Sequence, residues 1–188
     1  MNEDLDQFLT LLLSACGHIG SAYFQLPVAG QEDPEYRERV YAYELYHQLR
    51  SRWPDSLTRY TLGGEVDKNG HRLVRGNLLD KVKPDLIVHI PGTMDHNLAV
   101  IEIKPWAFAL GGVRTDVLKL AAFCDSSRGL YAAGYFHVYG SGDDDIQPLL
   151  NEFRNTAASV DEHDKLHLVL HKRSGERAIS RDWSADAA

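Results

Sequence analysis

Two short apolar runs decide how this chain is read: Pro84-Asp85-Leu86-Ile87-Val88-His89-Ile90 and Leu98-Ala99-Val100-Ile101-Glu102-Ile103-Lys104. Both are rich in Leu, Ile and Val, the composition of buried strands. Pro91, Gly92, Thr93, Met94, Asp95, His96 and Asn97 lie between them and make a hairpin loop. Asp85, Glu102 and Lys104 interrupt the apolar pattern. A buried charge is costly unless it is paired or bound to a metal. Side chains alternate along a strand, so Glu102 and Lys104 share one face and Ile103 points to the other. On neighbouring strands, Asp85 and Glu102 would bring two carboxylates together beside an ammonium. Such a pair of hard oxygen donors suits Mg²⁺ or Mn²⁺.

Pro84-Asp85 followed by Glu102-Ile103-Lys104 resembles the signature of the PD-(D/E)XK nuclease superfamily, which includes restriction, recombination and repair nucleases. The motif is short, and its context gives it weight. The acid begins one apolar run, the ExK ends the next, and a hairpin-sized loop joins them. The resemblance spans roughly residues 34–139 at the level of element order.

Upstream, Asp33 can cap a helix, with Pro34 at its first position and Glu35 in its first turn. Tyr36, Val40, Tyr43, Tyr46 and Leu49 form an apolar-aromatic stripe, and Trp53-Pro54 closes the helix. The family carries a helix before its sheet that often donates a further acid, and Glu44 is the matching candidate. Residues 57–66 read as a strand. Asp67-Lys68-Asn69-Gly70 reads as a tight turn, and His71 to Val74 as the return. Glu65 is the rival third acid. Arg75, Lys81 and Lys83 make a small basic cluster before Asp85.

Downstream, Pro105 to Gly112 reads as an irregular connection, followed by a helix from Thr115 or Asp116 to Cys124 and a strand over 130–139. Some relatives carry a Gln and a Tyr on this helix. Asp116 and Lys119 stand here instead, so that motif does not carry over. The C-terminal part adds a helix over 146–159 and a strand over 166–170. Asp143-Asp144-Asp145 lacks the ligand spacing of an EF-hand and suits helix capping. His163, His167 and His171 repeat every four residues, as zinc ligands on a helix would. The alternation of Leu166, Leu168 and Leu170 makes the segment a strand and rejects that zinc site. The tail from Ser174 is polar and is expected to fray.

At 188 residues and 44% hydrophobic, the chain is long and apolar enough for a real core. A net charge of −7 argues against a broad basic nucleic-acid surface but allows a local basic rim. Two cysteines, Cys16 and Cys124, imply no disulfide framework. The apolar run 8–15 is too short to span a bilayer, and the acidic start does not resemble a signal peptide, so a cytoplasmic protein without a membrane partner is expected. Residues 3–16 suit an amphipathic helix with Leu5, Phe8, Leu12 and Ala15 inward. It would pack on its own domain, or serve as an arm in a homodimer or larger assembly.

The expected fold is therefore α/β: a three-layer restriction-endonuclease-like core in αβββαβ order, with a mixed central sheet flanked by helices. A single domain spans 1–188, with a helical extension at 1–33 and a C-terminal extension at 140–188. The resemblance implies an endo- or exonuclease dependent on Mg²⁺ or Mn²⁺, acting on nucleic acid, DNA foremost. It implies that Asp85, Glu102 and the backbone carbonyl of Ile103 hold the metal. Lys104 would position or activate the attacking water, and Glu44 would assist through metal-bound water. His89 could orient a ligand from behind, or serve as a core histidine. The rival reading is a catalytically inactive nuclease-fold module that binds nucleic acid or protein. No glycine-rich phosphate loop and no Cys-His or Ser-His-Asp context offers another chemistry.

Overall fold

The computed structural model describes residues 3–64, 83–93 and 96–182, and a six-stranded mixed sheet runs through them. Helix α1 spans Glu3–Cys16, α2 Ser21–Phe24 and α3 Glu38–Ser51. Strands β1 (Thr61–Gly64), β2 (Leu86–His89) and β3 (Asn97–Pro105) follow. Then come α4 (Trp106–Cys124), β4 (Tyr131–Tyr139), α5 (Gln147–Ala157), β5 (Leu166–His171) and β6 (Ile179–Asp182). The strands lie side by side in sequence order. β1, β2 and β3 are antiparallel neighbours, β3, β4 and β5 are parallel, and β6 returns antiparallel. The parallel steps need crossovers, and α4 and α5 supply them.

Alternation along the strands builds two cores. Ala99, Ile101, Ile103, Tyr135, Tyr139 and Val169 face α1 and α3, where they meet Phe8, Leu12, Tyr41, Leu45 and Leu49. Val100, Phe136, Val138, Leu168 and Leu170 face α4 and α5, where they meet Val113, Val117, Leu120 and Phe153. The α/β class and the helix-flanked mixed sheet agree with the sequence reading. Among the described residues, no helix is long and apolar enough to cross a membrane.

Four local expectations are corrected. The helix expected from Pro34 begins at Glu38. Residues before it are extended, and Glu35 forms a β-bridge with Leu26. Its buried stripe is Tyr41, Ala42, Leu45 and Leu49, while Tyr43 is 62% exposed. The stripe is displaced because tyrosines occur on both faces, and an amphipathic ring tolerates a wet surface as well as a core. Helix α4 begins directly after β3 and runs through Gly111 and Gly112, where an irregular connection was expected. The tail contributes β6, paired to β5 from Leu170↔Ile179 to His167↔Asp182, where fraying was expected. The Asn69-Gly70 turn, the return strand, Glu65, Arg75 and Lys81 lie outside the described residues.

Candidate active site

Leu86 pairs with Ile101 across the antiparallel β2–β3 ladder. One step back along β2 and one step on along β3 sets Asp85 opposite Glu102. Val100 and Ile87 both pack in the α4–α5 layer, so Asp85, Glu102 and Lys104 share that face. Asp85 Oδ2 accepts a hydrogen bond from the Ile103 amide at 2.7 Å. This bond pins the acid to the strand that carries Glu102 and Lys104.

Helix α4 covers this face and brings two more charges. Lys119 Nζ stands 2.6 Å from Glu102 Oε1 as an ion pair without the alignment of a hydrogen bond. It also reaches the Lys83 carbonyl at 3.5 Å. Asp116 Oδ2 lies 3.8 Å from Lys104 Nζ. Gly112, one turn before Asp116, leaves room for both partners. A Cβ there would sit 3.3 Å from Asp116 Oδ2 and 3.6 Å from Lys104 Cε. Helix α3 closes the group from its first turn, where Glu38 Oε2 accepts a hydrogen bond from Lys104 Nζ at 3.0 Å.

Four carboxylates thus surround two ammoniums, and their pKa values follow. Burial pushes Asp85 up to about 6, against the Ile103 amide and with the Glu38 charge adding to the rise. Burial pushes Glu102 up to about 8, Asp85 adds to this, and Lys119 pulls it down. Asp116 is raised by burial against the pull of Lys104 and Lys119. Burial opposes the Lys104 charge, but Glu38, Asp116 and Asp85 raise its pKa overall. These shifts all point to surplus negative charge held out of water.

The arrangement fits a hard divalent cation. Glu102 Oε1 meets only the Lys119 ammonium and Asp116 Oδ2 only the more distant Lys104, so these buried oxygens keep lone pairs that a cation could take. A cavity of about 470 Å³ opens beside Asp85, with Glu38, Arg39, Tyr43 and Tyr46 of α3 along one wall.

The structure brings Asp85, Glu102, Ile103 and Lys104 together. It does not bring Glu44. That side chain accepts a hydrogen bond from Gln48 on its own helix, away from the wall formed by Glu38, Arg39, Ala42, Tyr43 and Tyr46. Glu38, six residues earlier, holds the place expected of Glu44. Asp116 and Lys119 are the other residues that sequence reasoning passed over. Their i, i+3 spacing, with Gly112 one turn before, put them on one helical face, but nothing in the sequence fixed which side of the sheet that face would cover. His89 ends β2 where its register with β3 slips, between Val88 and His89. No protein-family model, curated protein or solved structure matches this chain.

Proposed function

We propose that this protein is a divalent-metal-dependent nuclease with a restriction-endonuclease-like core, hydrolysing phosphodiester bonds in nucleic acid, DNA foremost. One observation carries the reading. Asp85 and Glu102 stand opposite each other on adjacent strands, with Lys104 on the same face, in a group of four acids of which Glu102 and Asp116 are buried. The αβββαβ order from α3 to β4 supports it at the level of architecture.

Asp85 and Glu102 would hold Mg²⁺ or Mn²⁺, with the Ile103 carbonyl as a further ligand on the strength of the resemblance alone. Such an ion, when bound, polarises a phosphoryl oxygen and lowers the pKa of a bound water. Lys104, held between Glu38 and Asp116, would orient the attacking water and offset developing negative charge. Lys119 would partly neutralise Glu102 until a cation takes over that task. Arg39 and Tyr43 border the cavity beside Asp85, where a phosphate and a base could approach. The net charge of −7 favours the rival, a binding module without turnover, so the two readings need a direct test.

Thermal melting with and without Mg²⁺ or Mn²⁺ separates them. A cation bound only by the folded site stabilises by about 2.7 kcal/mol at a hundred times its dissociation constant. The parent should show this rise and Asp85→Asn should not. Cleavage of single-stranded DNA, duplex DNA and RNA should disappear in the same variant. Equal metal shifts in parent and variant would place the ion elsewhere and favour the binding module.

A further inference from the structure

A second group of ligand-type side chains is buried on the opposite face of the sheet. Cys16 ends α1, Tyr41 lies in α3, His137 in β4 and His171 in β5, and all four are fully buried. His137 pairs with Val169 and Tyr139 with His171, so the two imidazoles lie diagonally on one face of neighbouring parallel strands. The Tyr41 hydroxyl sits between them, 2.7 Å from His137 Nε2 and 2.7 Å from His171 Nδ1. It also lies 3.9 Å from Cys16 Sγ. The ligand atoms of Cys16, His137 and His171 lie within 4.8 Å of one another. The ring of Tyr139 stacks on Tyr41, and Phe24 meets His171 edge-on.

As a purely structural core this group is poorly served. Tyr41 can donate to one imidazole and accept from the other, but His137 Nδ1 is left without a hydrogen-bond partner. Buried polar atoms without partners destabilise a fold, and aliphatic side chains would fill the space without that cost. The acid site does not use these residues, which lie in the α1–α3 layer.

The geometry points to a structural zinc site in which Cys16, His137, His171 and Tyr41 are the four ligands. A soft thiolate and two borderline imidazoles suit Zn²⁺ far better than Mg²⁺. The dimensions are within a small adjustment of a zinc site: the sulfur and two ring nitrogens, within 4.8 Å of one another, would close to about 3.3–3.6 Å around the ion. With Zn–N and Zn–O bonds of about 2.0–2.1 Å and a Zn–S bond of about 2.3 Å, a tetrahedral ion sets N···O near 3.3 Å and S···O near 3.5 Å. The hydroxyl would retreat from the rings by about 0.6 Å, and the sulfur would approach it by about 0.4 Å. Binding replaces the S–H and O–H bonds with Zn–S and Zn–O bonds and releases two protons to solvent. The thiolate, the phenolate and two neutral imidazoles then balance the ion's charge, as a closed apolar site requires. Since the ligands come from four elements and none is exposed, the ion would enter as the chain folds.

Refolding from denaturant with Co²⁺, a spectroscopic substitute for Zn²⁺, tests this directly. After removal of loose metal with a chelator, the parent should retain about one equivalent per chain and show a thiolate-to-cobalt charge-transfer band with tetrahedral visible bands. Cys16→Ala should lose the band and lower the retained metal about tenfold or more. Asp85→Asn should leave both unchanged, which separates this site from the acid site. His171→Asn provides the same loss by another ligand, should Cys16→Ala not refold. A natively folded parent without the band overturns the proposal. So does a band that survives Cys16→Ala, because its thiolate would then be Cys124.

Discussion

Glu102 governs how the site responds to pH. Its unfolded-state pKa is 4.5 and its folded-state value is about 8. Between those values the folded protein holds a proton that the unfolded chain has released, so metal-free stability falls as pH rises through the window. Asp85, raised to about 6, adds to the lower part of that fall. Denaturant melts in a chelator should show the decline, and Glu102→Gln should flatten it. A parent whose stability is level across this range would mean that Glu102 is solvated or fully paired. Lys104 tests a different property. Lys104→Met should reduce cleavage by roughly 10²–10³, the scale of losing one preorganised charge, while keeping the metal-dependent rise in melting temperature. Loss of both would make Lys104 part of metal binding. Between the two helix acids, Glu38→Gln should impair cleavage and Glu44→Gln should not. The second change should also stay within about 0.5 kcal/mol of parent stability, as surface substitutions do.

Helix α4 sets the test at the scale of elements, because it carries adjacent glycines through its body. A helical Gly costs about 1 kcal/mol relative to Ala. At Gly111 an added Cβ meets nothing within 4 Å, so Gly111→Ala should stabilise by about that amount. At Gly112 the same methyl would sit 3.3 Å from the Asp116 carboxylate, so Gly112→Ala should gain less and disturb the site. Equal gains in urea melts would show that the Lys104–Asp116 contact is not where the structure places it. This helix also shows what a sequence conceals. Gly111-Gly112 after Pro105 carries every local signal of a break, yet tertiary packing of Val113, Val117 and Leu120 outweighs two glycine penalties. Strands β2 and β3 were legible because strands buried on both faces read as continuous Leu, Ile and Val. Strand β6 was not, because Ile179-Ser180-Arg181-Asp182 is a mostly exposed edge whose order comes from backbone pairing. Asp85, Glu102 and Lys104 were legible by spacing within one hairpin. Glu38 and the Cys16–His137–His171 group were not, since only the packing of distant elements brings them to their partners.

At the scale of the molecule, α1 and β5 are parts of the two cores. The sequence reading named residues 1–33 and 140–188 extensions of a single domain, with the helix over 3–16 packed on it or serving as an arm. In the structure α1 buries Phe8, Leu12, Ala15 and Cys16 against the sheet, and β5 supplies Val169 to one core and Leu168 and Leu170 to the other. The Phe8 ring packs against both Trp53 and Tyr135, so it ties α1 to the segment after α3 and to the central strand β4. Truncating a buried Phe to Ala typically costs about 3–5 kcal/mol. A whole domain is held by only about 5–15 kcal/mol. Phe8→Ala should therefore lower the denaturant midpoint sharply in one transition, seen at the same concentration by circular dichroism and by tryptophan fluorescence. Phe153→Ala, on the far side of the sheet, should do the same, because the two cores share every central strand and cannot unfold separately. Removal of residues 1–20 should abolish cooperative unfolding altogether. A truncated protein that melts at the parent's midpoint would show instead that α1 is an appendage, and that the α1–α3 layer contributes little to the fold.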